Sequence, residues 1–280
     1  MTDQADLIAK ARKEVNDAKN TLARAVYAID KLAAAQPAPP APQPAPPAPV
    51  PAPPPPPTPA PTPKAPPSLP AGFEIQNAGK PWSYAQTPDG FRFEVREGDH
   101  WDHAGDEDNN RSEISFGRVQ SLACGEAWAC EYVFNIEAGT FDQLGVQHVI
   151  GQLHDARDKA TDKEGASPIW AVRISEDGRL LVTTCGSPEN PLKTLPKSVT
   201  RFRDSVPLEI GVDHAMRIEW ADGKFIRVFH QGVKIVDYTG ADFGFVNVEG
   251  DYTKFGVYRK ASPRTVAVRF RDISIRKLAA

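Results

Sequence analysis

The sequence predicts an all-β domain, an antiparallel two-sheet sandwich or jelly roll, over residues 71–280. Short runs that alternate polar and apolar residues follow one another through this range, as in FRFEVRE and WACEYVFNIE. The turn signals EDG, ADG and HQG separate several of these runs and indicate hairpins. No long apolar repeat with the period of a helix interrupts them. Regularly spaced short strands of this kind are typical of sandwiches and jelly rolls.

A seven-residue apolar repeat marks the first 35 residues as a separate helical segment. One seam position holds Ile8, Val15, Leu22 and Ile29, and the second holds Ala11, Ala18, Ala25 and Leu32. This pattern predicts a coiled coil that makes a homo-oligomer. The alternative is a single amphipathic helix that packs on the large domain. A short coiled coil with alanine at one seam position is marginal alone, which leaves room for a larger assembly, such as a phage particle, as a partner.

Residues 36–70 are predicted to be a proline-rich linker. Most of the 28 prolines of the chain fall here, in a stretch without a periodic apolar face. Proline lacks a backbone donor, so the segment cannot build a core. A polyproline II spacer of this length reaches roughly 100 Å at about 3.1 Å per residue. We therefore expect three parts: residues 1–35, 36–70 and 71–280.

Charge and hydropathy exclude several classes of protein. The formal net charge is −3, and the large domain is mildly acidic, which argues against non-specific nucleic-acid binding. No apolar run reaches the roughly 18 residues of a membrane span. The N-terminus shows no signal-peptide pattern, so the location stays open between virion association and non-classical export. Cys124 and Cys130 are spaced to pair, but a reduced pair fits equally well, and Cys185 is single.

Three predicted strands carry unusual polar faces. Side chains alternate along a strand, so each run divides into two faces. The polar sets are Arg111, Glu113 and Ser115; His148, Ile150, Gln152 and His154; and Tyr252, Lys254, Gly256 and Tyr258. Any one of these faces alone is most simply a solvated sheet surface. Uncharged Gln and His beside Arg and two Tyr are, in combination, side chains suited to catalysis.

Three stretches resemble the signature blocks of polysaccharide lyase family 7, the alginate lyases. RSEIS, QLH and YTKFGVY occur here in the order of the family blocks R-[ST]-E-[LV]-R, Q-[IV]-H and Y-F-K-A-G-[VI]-Y. The stretch FEVREGDHWDHAGDEDNNRSEI is also similar to the heparinase I-like and glucuronan lyase group. The resemblance covers residues 72–278 and implies a concanavalin A-like β-sandwich (jelly roll). Ser115 replaces a second family arginine and Arg259 the usual asparagine, and both departures bear on the substrate.

The resemblance implies β-elimination from a uronic-acid polysaccharide, with four catalytic residues. Arg111 and Gln152 neutralise the substrate carboxylate so that the neighbouring C5 proton becomes acidic enough to remove. His154 is the base or a further carboxylate donor. Tyr258 protonates the departing O4, or serves as both base and acid.

Further residues are expected to bind substrate around this centre. Glu113 orients Arg111, and Lys254 binds a neighbouring carboxylate. The other expected contacts are Tyr252, His148, His100, Trp101 and Arg259. No metal or other cofactor is required. The acidic loop over residues 102–110 could hold Ca²⁺, but it lacks an EF-hand register, and a solvated loop is favoured.

The alternative from another class is a non-catalytic glycan-binding sandwich on a virion- or assembly-anchored stalk. Such a module keeps an aromatic groove but has no need of Gln152, His154 and Tyr258 together. An anionic polysaccharide is the expected ligand in both cases.

Overall fold

The computed structural model describes residues 72–102, 108–117, 119–140, 146–155, 167–187, 198–245 and 250–279. All of them belong to one compact unit. The predicted coiled coil (1–35) and proline linker (36–70) lie outside the described residues. Within these ranges, no helix has the length and apolar content needed to cross a bilayer.

The described part of the chain consists of β-strands joined by turns and loops. The strands are β1 (Glu74–Asn77), β2 (Tyr84–Thr87), β3 (Gly90–Val95), β4 (Asn109–Ser115), β5 (Trp128–Ile136), β6 (His148–Asp155), β7 (Trp170–Ile174), β8 (Arg179–Thr184), β9 (Gly186–Ser187), β10 (Val199–Pro207), β11 (Asp213–Ala221), β12 (Phe225–His230), β13 (Val233–Thr239), β14 (Gly244–Phe245), β15 (Asp251–Lys260) and β16 (Val266–Lys277). The predicted all-β class is confirmed.

The strands form two seven-stranded sheets. Sheet I has the order β1-β4-β15-β6-β7-β8-β10, and sheet II has the order β13-β12-β11-β5-β16-β3-β2. The pairings within both sheets are antiparallel, and β9 and β14 form a short parallel pair. The turns EDG, ADG and HQG join β7 to β8, β11 to β12 and β12 to β13, as predicted. The predicted two-sheet antiparallel sandwich is therefore confirmed.

The inner faces of the two sheets share one apolar core. Ile114 on β4 pairs with Phe255 on β15, and both are fully buried. Phe255 of sheet I meets Tyr132 and Phe270 of sheet II, with ring centroids 5.2 and 6.1 Å apart. Because neighbouring residues on a strand point to opposite faces, this inward packing turns the polar residues of β4 and β15 to the outer face of sheet I.

Strands β1, β2 and β10 lie outside the runs from which the fold is predicted. In β1, the only buried residue is polar: Gln76 is 1% exposed, whereas Ile75, which pairs with the core residue Ile114, is 38% exposed. A four-residue strand without a buried apolar residue carries no hydrophobic alternation to detect. Strand β1 nevertheless pairs with β4 and brings Gln76 opposite Glu113.

Candidate active site

The outer face of sheet I carries a connected set of polar side chains. Strand β15 pairs with β4 so that Lys254 is opposite Ser115, and Tyr258 is opposite Arg111. On its other side, β15 pairs with β6. Directly opposed residues of an antiparallel pair lie on the same face with their Cβ atoms about 5 Å apart. We call this surface the polar face of sheet I; its residues are Gln76, Arg111, Glu113, Gln152, His154, Arg173, Tyr252, Lys254 and Tyr258.

Gln152 and His154 are joined to Glu113 by a hydrogen-bond chain. The Gln152 amide donates from Nε2 to Glu113 Oε1 at 2.7 Å, and Gln152 Oε1 lies 3.1 Å from His154 Nε2. A carboxylate only accepts, so the amide nitrogen faces Glu113 and the amide oxygen faces the histidine. His154 Nε2 is then the donor, which makes Nδ1 the basic nitrogen of the neutral ring. Glu113 thereby sets the orientation of Gln152 and, through it, the tautomer of His154.

Arg111 is held between Glu113 and two aromatic rings. Its Nη1 lies 3.6 Å from Glu113 Oε2, and the Glu113 side chain is completely buried. The guanidinium carbon lies 4.4 Å from the ring centre of Tyr258 and 5.6 Å from that of Trp101. A guanidinium at these distances gains cation–π stabilisation. The positive charge is thus positioned next to the half-buried Tyr258.

Gln76 is a residue of this face that the motifs do not reveal. Its side-chain oxygen accepts hydrogen bonds from Arg111 Nη1 and from Lys254 Nζ, both at 3.1 Å. Its amide nitrogen donates to Glu74 Oε2 at 2.8 Å. Two cations therefore converge on one neutral oxygen. The alternation of Glu74 and Gln76 in β1 is the only sequence signal for this arrangement.

Arg173 on β7 is a second residue that the motifs do not reveal. It pairs with Val149 of β6, whose partner on β15 is Tyr258. Arg173 Nε donates to Thr183 Oγ1 and Nη1 donates to Gln147 Oε1, both at 2.9 Å. Burial lowers the pKa of Arg173, and the neighbouring Tyr258 acts in the opposite direction. A second guanidinium thus approaches Tyr258 from the side opposite to Arg111.

Gly256 allows β15 to run close to β4 within this site. Its φ angle is +145°, and an added Cβ would lie 2.2 Å from the carbonyl oxygen of Ser112 and 2.6 Å from Glu113 Cα. Only glycine fits such a contact without moving the backbone. The glycine therefore keeps the strand that carries Glu113 in register with Tyr258.

Tyr252 supports His154 from the adjacent strand. The two rings are stacked with centroids 5.8 Å apart and an interplanar angle of 21°. Burial, with smaller effects from nearby carboxylates, raises the pKa of Tyr252 to about 12. Its phenol therefore stays protonated at neutral pH.

Comparison with known proteins identifies the family. A family model described as polysaccharide lyase matches residues 80–274. The chain belongs to this family. The match spans both sheets and the three motifs, so the resemblance to lyases is confirmed. No curated protein matches the sequence of this lyase.

Solved structures show the same fold. An alginate lyase named A1-II′, a member of polysaccharide lyase family 7, has a TM-score of 0.56 at 13% identity, over 74% of this lyase and 95% of that chain. An endo-β-1,4-glucuronan lyase from the fungus Trichoderma reesei gives 0.54 at 12% identity, over 74% and 88%. The family 7 alginate lyase AlgAT5 gives 0.52 at 14% identity, over 74% and 94%. These likenesses establish the jelly-roll fold of the lyase.

His148 and Ile150 do not lie on the face where alternation predicts. The register of β6 against β7 shifts between Val149 and Gly151, so Val149 pairs with the outward Arg173, and Gly151 pairs with the inward Val172. This β-bulge reverses the alternation, so Val149 takes the place expected for His148 on the polar face.

The buried positions of His148 and Arg259 correct their assignment as substrate contacts. Both are 1% exposed and pair with each other across β6 and β15. Arg259 Nη2 donates to the carbonyls of Ser262, at 3.2 Å, and Arg264. Burial and the charge of Arg259 lower the pKa of His148 to about 3, so it is neutral. These residues belong beneath the sheet and stabilise it from inside.

The loop before β4 is described only in part. Trp101 is half-buried and close to Arg111, whereas His100 is exposed. Residues 103–107, which hold most of the acidic loop, lie outside the described residues. The calcium alternative for this loop stays a prediction.

A buried acidic cluster lies at the start of β15. Oxygen and sulfur atoms of Cys124, Asp222 and Asp251 fall within 4.8 Å of one another, and Asp155 pairs with Asp251 across the strands. Such a set could hold a cation. Burial raises the pKa of Asp222 and of Asp251, the latter to about 10, with the neighbouring carboxylates adding to the effect on Asp251. Asp251 is thus protonated at neutral pH, and all three cysteines are thiols.

Two surface depressions lie on the outer face of sheet II, one beside Arg217 and one beside Arg269. Arg217 forms an ion pair with Glu219, and Arg269 forms one with Glu137. Among the described residues that line them, neither depression has a histidine or a glutamine, so both lack the Gln–His arrangement found on sheet I. The polar face of sheet I is therefore the candidate active site.

Proposed function

We propose that this polysaccharide lyase cleaves a uronic-acid-containing polysaccharide by β-elimination on the polar face of sheet I. The observation that carries the proposal is the convergence of Arg111 and Lys254 on Gln76, next to the Gln152–His154 pair and Tyr258. These are cations and amide donors beside two groups that can move protons. A uronate polymer needs this combination for elimination.

Carboxylate neutralisation is the first requirement of the reaction. The base removes the C5 proton, a double bond forms between C4 and C5, the C4–O4 bond breaks, and O4 takes up a proton. Negative charge develops on the carboxylate attached to C5 as the proton leaves. We assign Arg111 and the Gln152 amide to this charge, because preorganised donors stabilise a developing anion most effectively.

Proton transfer is assigned to Tyr258 and His154. Tyr258 gives a proton to O4, and His154 removes the C5 proton or adds a further donor to the carboxylate. The second arrangement makes Tyr258 both base and acid, in which case both groups leave from the same side of the sugar. The guanidinium of Arg111 at 4.4 Å from the Tyr258 ring favours this arrangement, because it stabilises negative charge on the phenolate oxygen.

The surrounding residues have positioning and binding roles in this proposal. Glu113 orients Arg111 and Gln152, and Gln76 holds Arg111 beside Lys254. Lys254 and Trp101 contact neighbouring sugars, and Tyr252 supports His154 by stacking. No step in this scheme uses a metal ion, so we propose that the reaction needs no cofactor.

The proposed substrate is a uronate polymer such as alginate or glucuronan. The similar structures include a glucuronan lyase and alginate lyases, one of them in complex with a substrate. We also propose that residues 1–35 make a homo-oligomer and connect the lyase to a larger assembly through the proline linker. This part of the proposal rests on the heptad and proline patterns alone.

The test is ultraviolet absorbance of the unsaturated uronate product on alginate, glucuronan and glycosaminoglycans. We expect absorbance to rise with at least one of them, and the rise should disappear in Tyr258→Phe. The exposed Arg269→Gln on sheet II is the control and should cleave like the parent. A protein that binds one of these polymers without producing the chromophore would be a glycan-binding module, the alternative from the sequence.

A further inference from the structure

A row of residues crosses sheet I through Tyr258 and continues to Arg173. The strand registers align Arg111, Tyr258, Val149, Arg173, Leu181 and Arg203 on β4, β15, β6, β7, β8 and β10. Adjacent strands are about 4.8 Å apart, so the backbone of Arg173 is about 10 Å from that of Tyr258 and about 14 Å from that of Arg111. Arg111 and Arg173 therefore lie on opposite sides of Tyr258.

Arg173 differs from the other arginines of this row in its partners. Arg111 lies against Glu113, and Arg203 forms an ion pair with Asp177. Arg173 donates only to two neutral oxygens, on Thr183 and Gln147, and in the described part of the chain no carboxylate lies within ion-pair distance of it. Among the described residues, two of its five N–H donors are used, which leaves three for a ligand.

The surroundings of Arg173 favour an anionic ligand. Val149 and Leu181, its neighbours in the row, are buried and apolar. A guanidinium stays charged at neutral pH even where burial lowers its pKa. A half-buried cation that has no counter-ion among the described residues is poorly solvated, and an arriving carboxylate compensates for this loss through charge-assisted hydrogen bonds.

We propose that Arg173, Gln147 and Thr183 form a second carboxylate subsite, for the sugar across the scissile bond from the one held by Arg111. This inference rests on the proposed function, because it takes Tyr258 as the position of the bond that breaks. A carboxylate on each side of Tyr258 requires uronates on both sugars flanking that bond. The preferred substrate is then a polymer of consecutive uronates, and polymers that alternate a uronate with a neutral amino sugar are poorer substrates.

Arg173→Gln tests the subsite, and Arg203→Gln is the matched control from the same row. We expect Arg173→Gln to lower kcat/KM on consecutive polyuronates by about 10- to 100-fold, mainly through KM, because a charge-assisted hydrogen bond is lost. Arg173→Lys should recover part of this loss. On an unsulfated polymer that alternates uronate with amino sugar, Arg173→Gln should change kcat/KM less than about threefold. Arg203→Gln should change neither.

A binding measurement separates this inference from the proposed function. Titration calorimetry of tetrasaccharides of glucuronate, mannuronate and guluronate, in a Tyr258→Phe background, should show weaker binding with Arg173→Gln. If the parent cleaves no polymer but binds a tetrauronate in an Arg173-dependent way, the subsite holds and the lyase proposal fails.

Three outcomes would overturn the subsite. One is equal tetrauronate binding with and without Arg173→Gln. Another is a parent that binds none of the tetrauronates. The third is an equal loss of activity on consecutive and alternating polymers. Thermal unfolding of each variant checks the fold, and Thr183→Val, which removes only one hydroxyl, tests the same subsite if Arg173→Gln does not fold.

Discussion

The outer faces of the two sheets use the same strand geometry for different purposes. On sheet II, arginines are exposed and each meets a carboxylate, as Arg269 meets Glu137 and Arg271 meets Asp213. On sheet I, Arg111 and Lys254 share the amide oxygen of Gln76, and Arg173 meets neutral oxygens. Exposed ion pairs contribute little and leave no net charge to bind an anion. Arg111 also lies 3.6 Å from the buried Glu113, whereas Arg173 has two neutral partners and, among the described residues, no carboxylate within ion-pair distance.

Burial is the second difference between the two faces. Glu113 and Gln76 are almost completely buried although they lie on the outer face of sheet I. The arginine side chains of the sheet II pairs are 38% and 58% exposed. A buried hydrogen-bond network has few alternative arrangements, so its donors are already oriented when a substrate arrives. The polar face of sheet I is thus preorganised, whereas the face of sheet II is a solvated surface.

Among the variants that test this difference between the two faces, Tyr258→Phe should have the largest effect on activity. Loss of the hydroxyl should lower kcat by about 10²- to 10⁴-fold, the usual effect of removing a general acid or base. Arg269→Gln on sheet II should leave the rate unchanged. Initial rates of product absorbance measure both, with circular dichroism as the check on folding. Near-full activity in Tyr258→Phe would remove the proton-transfer assignment.

Arg111→Ala and Gln152→Ala should each lower kcat by about 10²- to 10³-fold, because the developing charge loses a donor. Ser112→Ala is the matched control on the same strand as Arg111. Ser112 points inward, where its hydroxyl donates to the carbonyl of Ser83, so its loss should cost about 1 kcal/mol of stability and leave the rate intact. Rates and urea unfolding of the three variants decide this. A rate loss in Ser112→Ala equal to that of Arg111→Ala would contradict the division into two faces.

The buried cluster beside the polar face predicts a pH dependence of stability. Burial and neighbouring carboxylates raise the pKa of Asp251 to about 10, whereas an unfolded chain loses this proton near about 3.9. Between these two pKa values the folded state binds more protons than the unfolded state. The free energy of unfolding therefore falls as pH rises from about 4 to 10. The slope from this group is at most about 1.4 kcal/mol per pH unit.

Asp251→Asn imitates the protonated carboxyl and should flatten this dependence. Urea unfolding at pH 5, 7 and 9 compares the parent with the variant. Asp237→Asn, on the exposed edge of sheet II, is the control and should keep the parental slope. A parent whose stability rises over this range would contradict the assignment of a proton to Asp251.

Removal of residues 1–70 should convert the oligomer in solution into a monomer. The rate of each lyase domain should stay unchanged. The heptad predicts that the full chain is an oligomer and that a chain starting at residue 71 is a monomer. Light scattering over a wide concentration range measures this. If the full chain and the shortened chain are both monomers, the coiled-coil interpretation is wrong.

The smallest expected effect is that of chelator and reductant, because the proposed steps use only side chains of the polar face. Activity in EDTA and in dithiothreitol should equal that of the untreated protein. Loss of activity in EDTA that calcium restores would instead assign a cation to the acidic loop of residues 102–110 or to the cluster around Asp251.

The local pattern of the sequence determined the fold class and most of the polar face. Strand side chains alternate because of backbone geometry alone, so Arg111 with Glu113, and Gln152 with His154, could be grouped without knowing any partner strand. The tight turns EDG, ADG and HQG likewise predict hairpins from local conformational preferences. The ordered motifs then indicated the lyase family.

Only the tertiary structure decided which other residues join this face. Gln76 arrives through the pairing of β1 with β4, and Arg173 through the pairing of β7 with β6, and neither pairing leaves a periodic signal in its own strand. The bulge in β6 turned His148 away from the surface. A one-residue shift in register reverses every side chain beyond it, and that shift depends on how neighbouring strands pack, which local alternation does not contain.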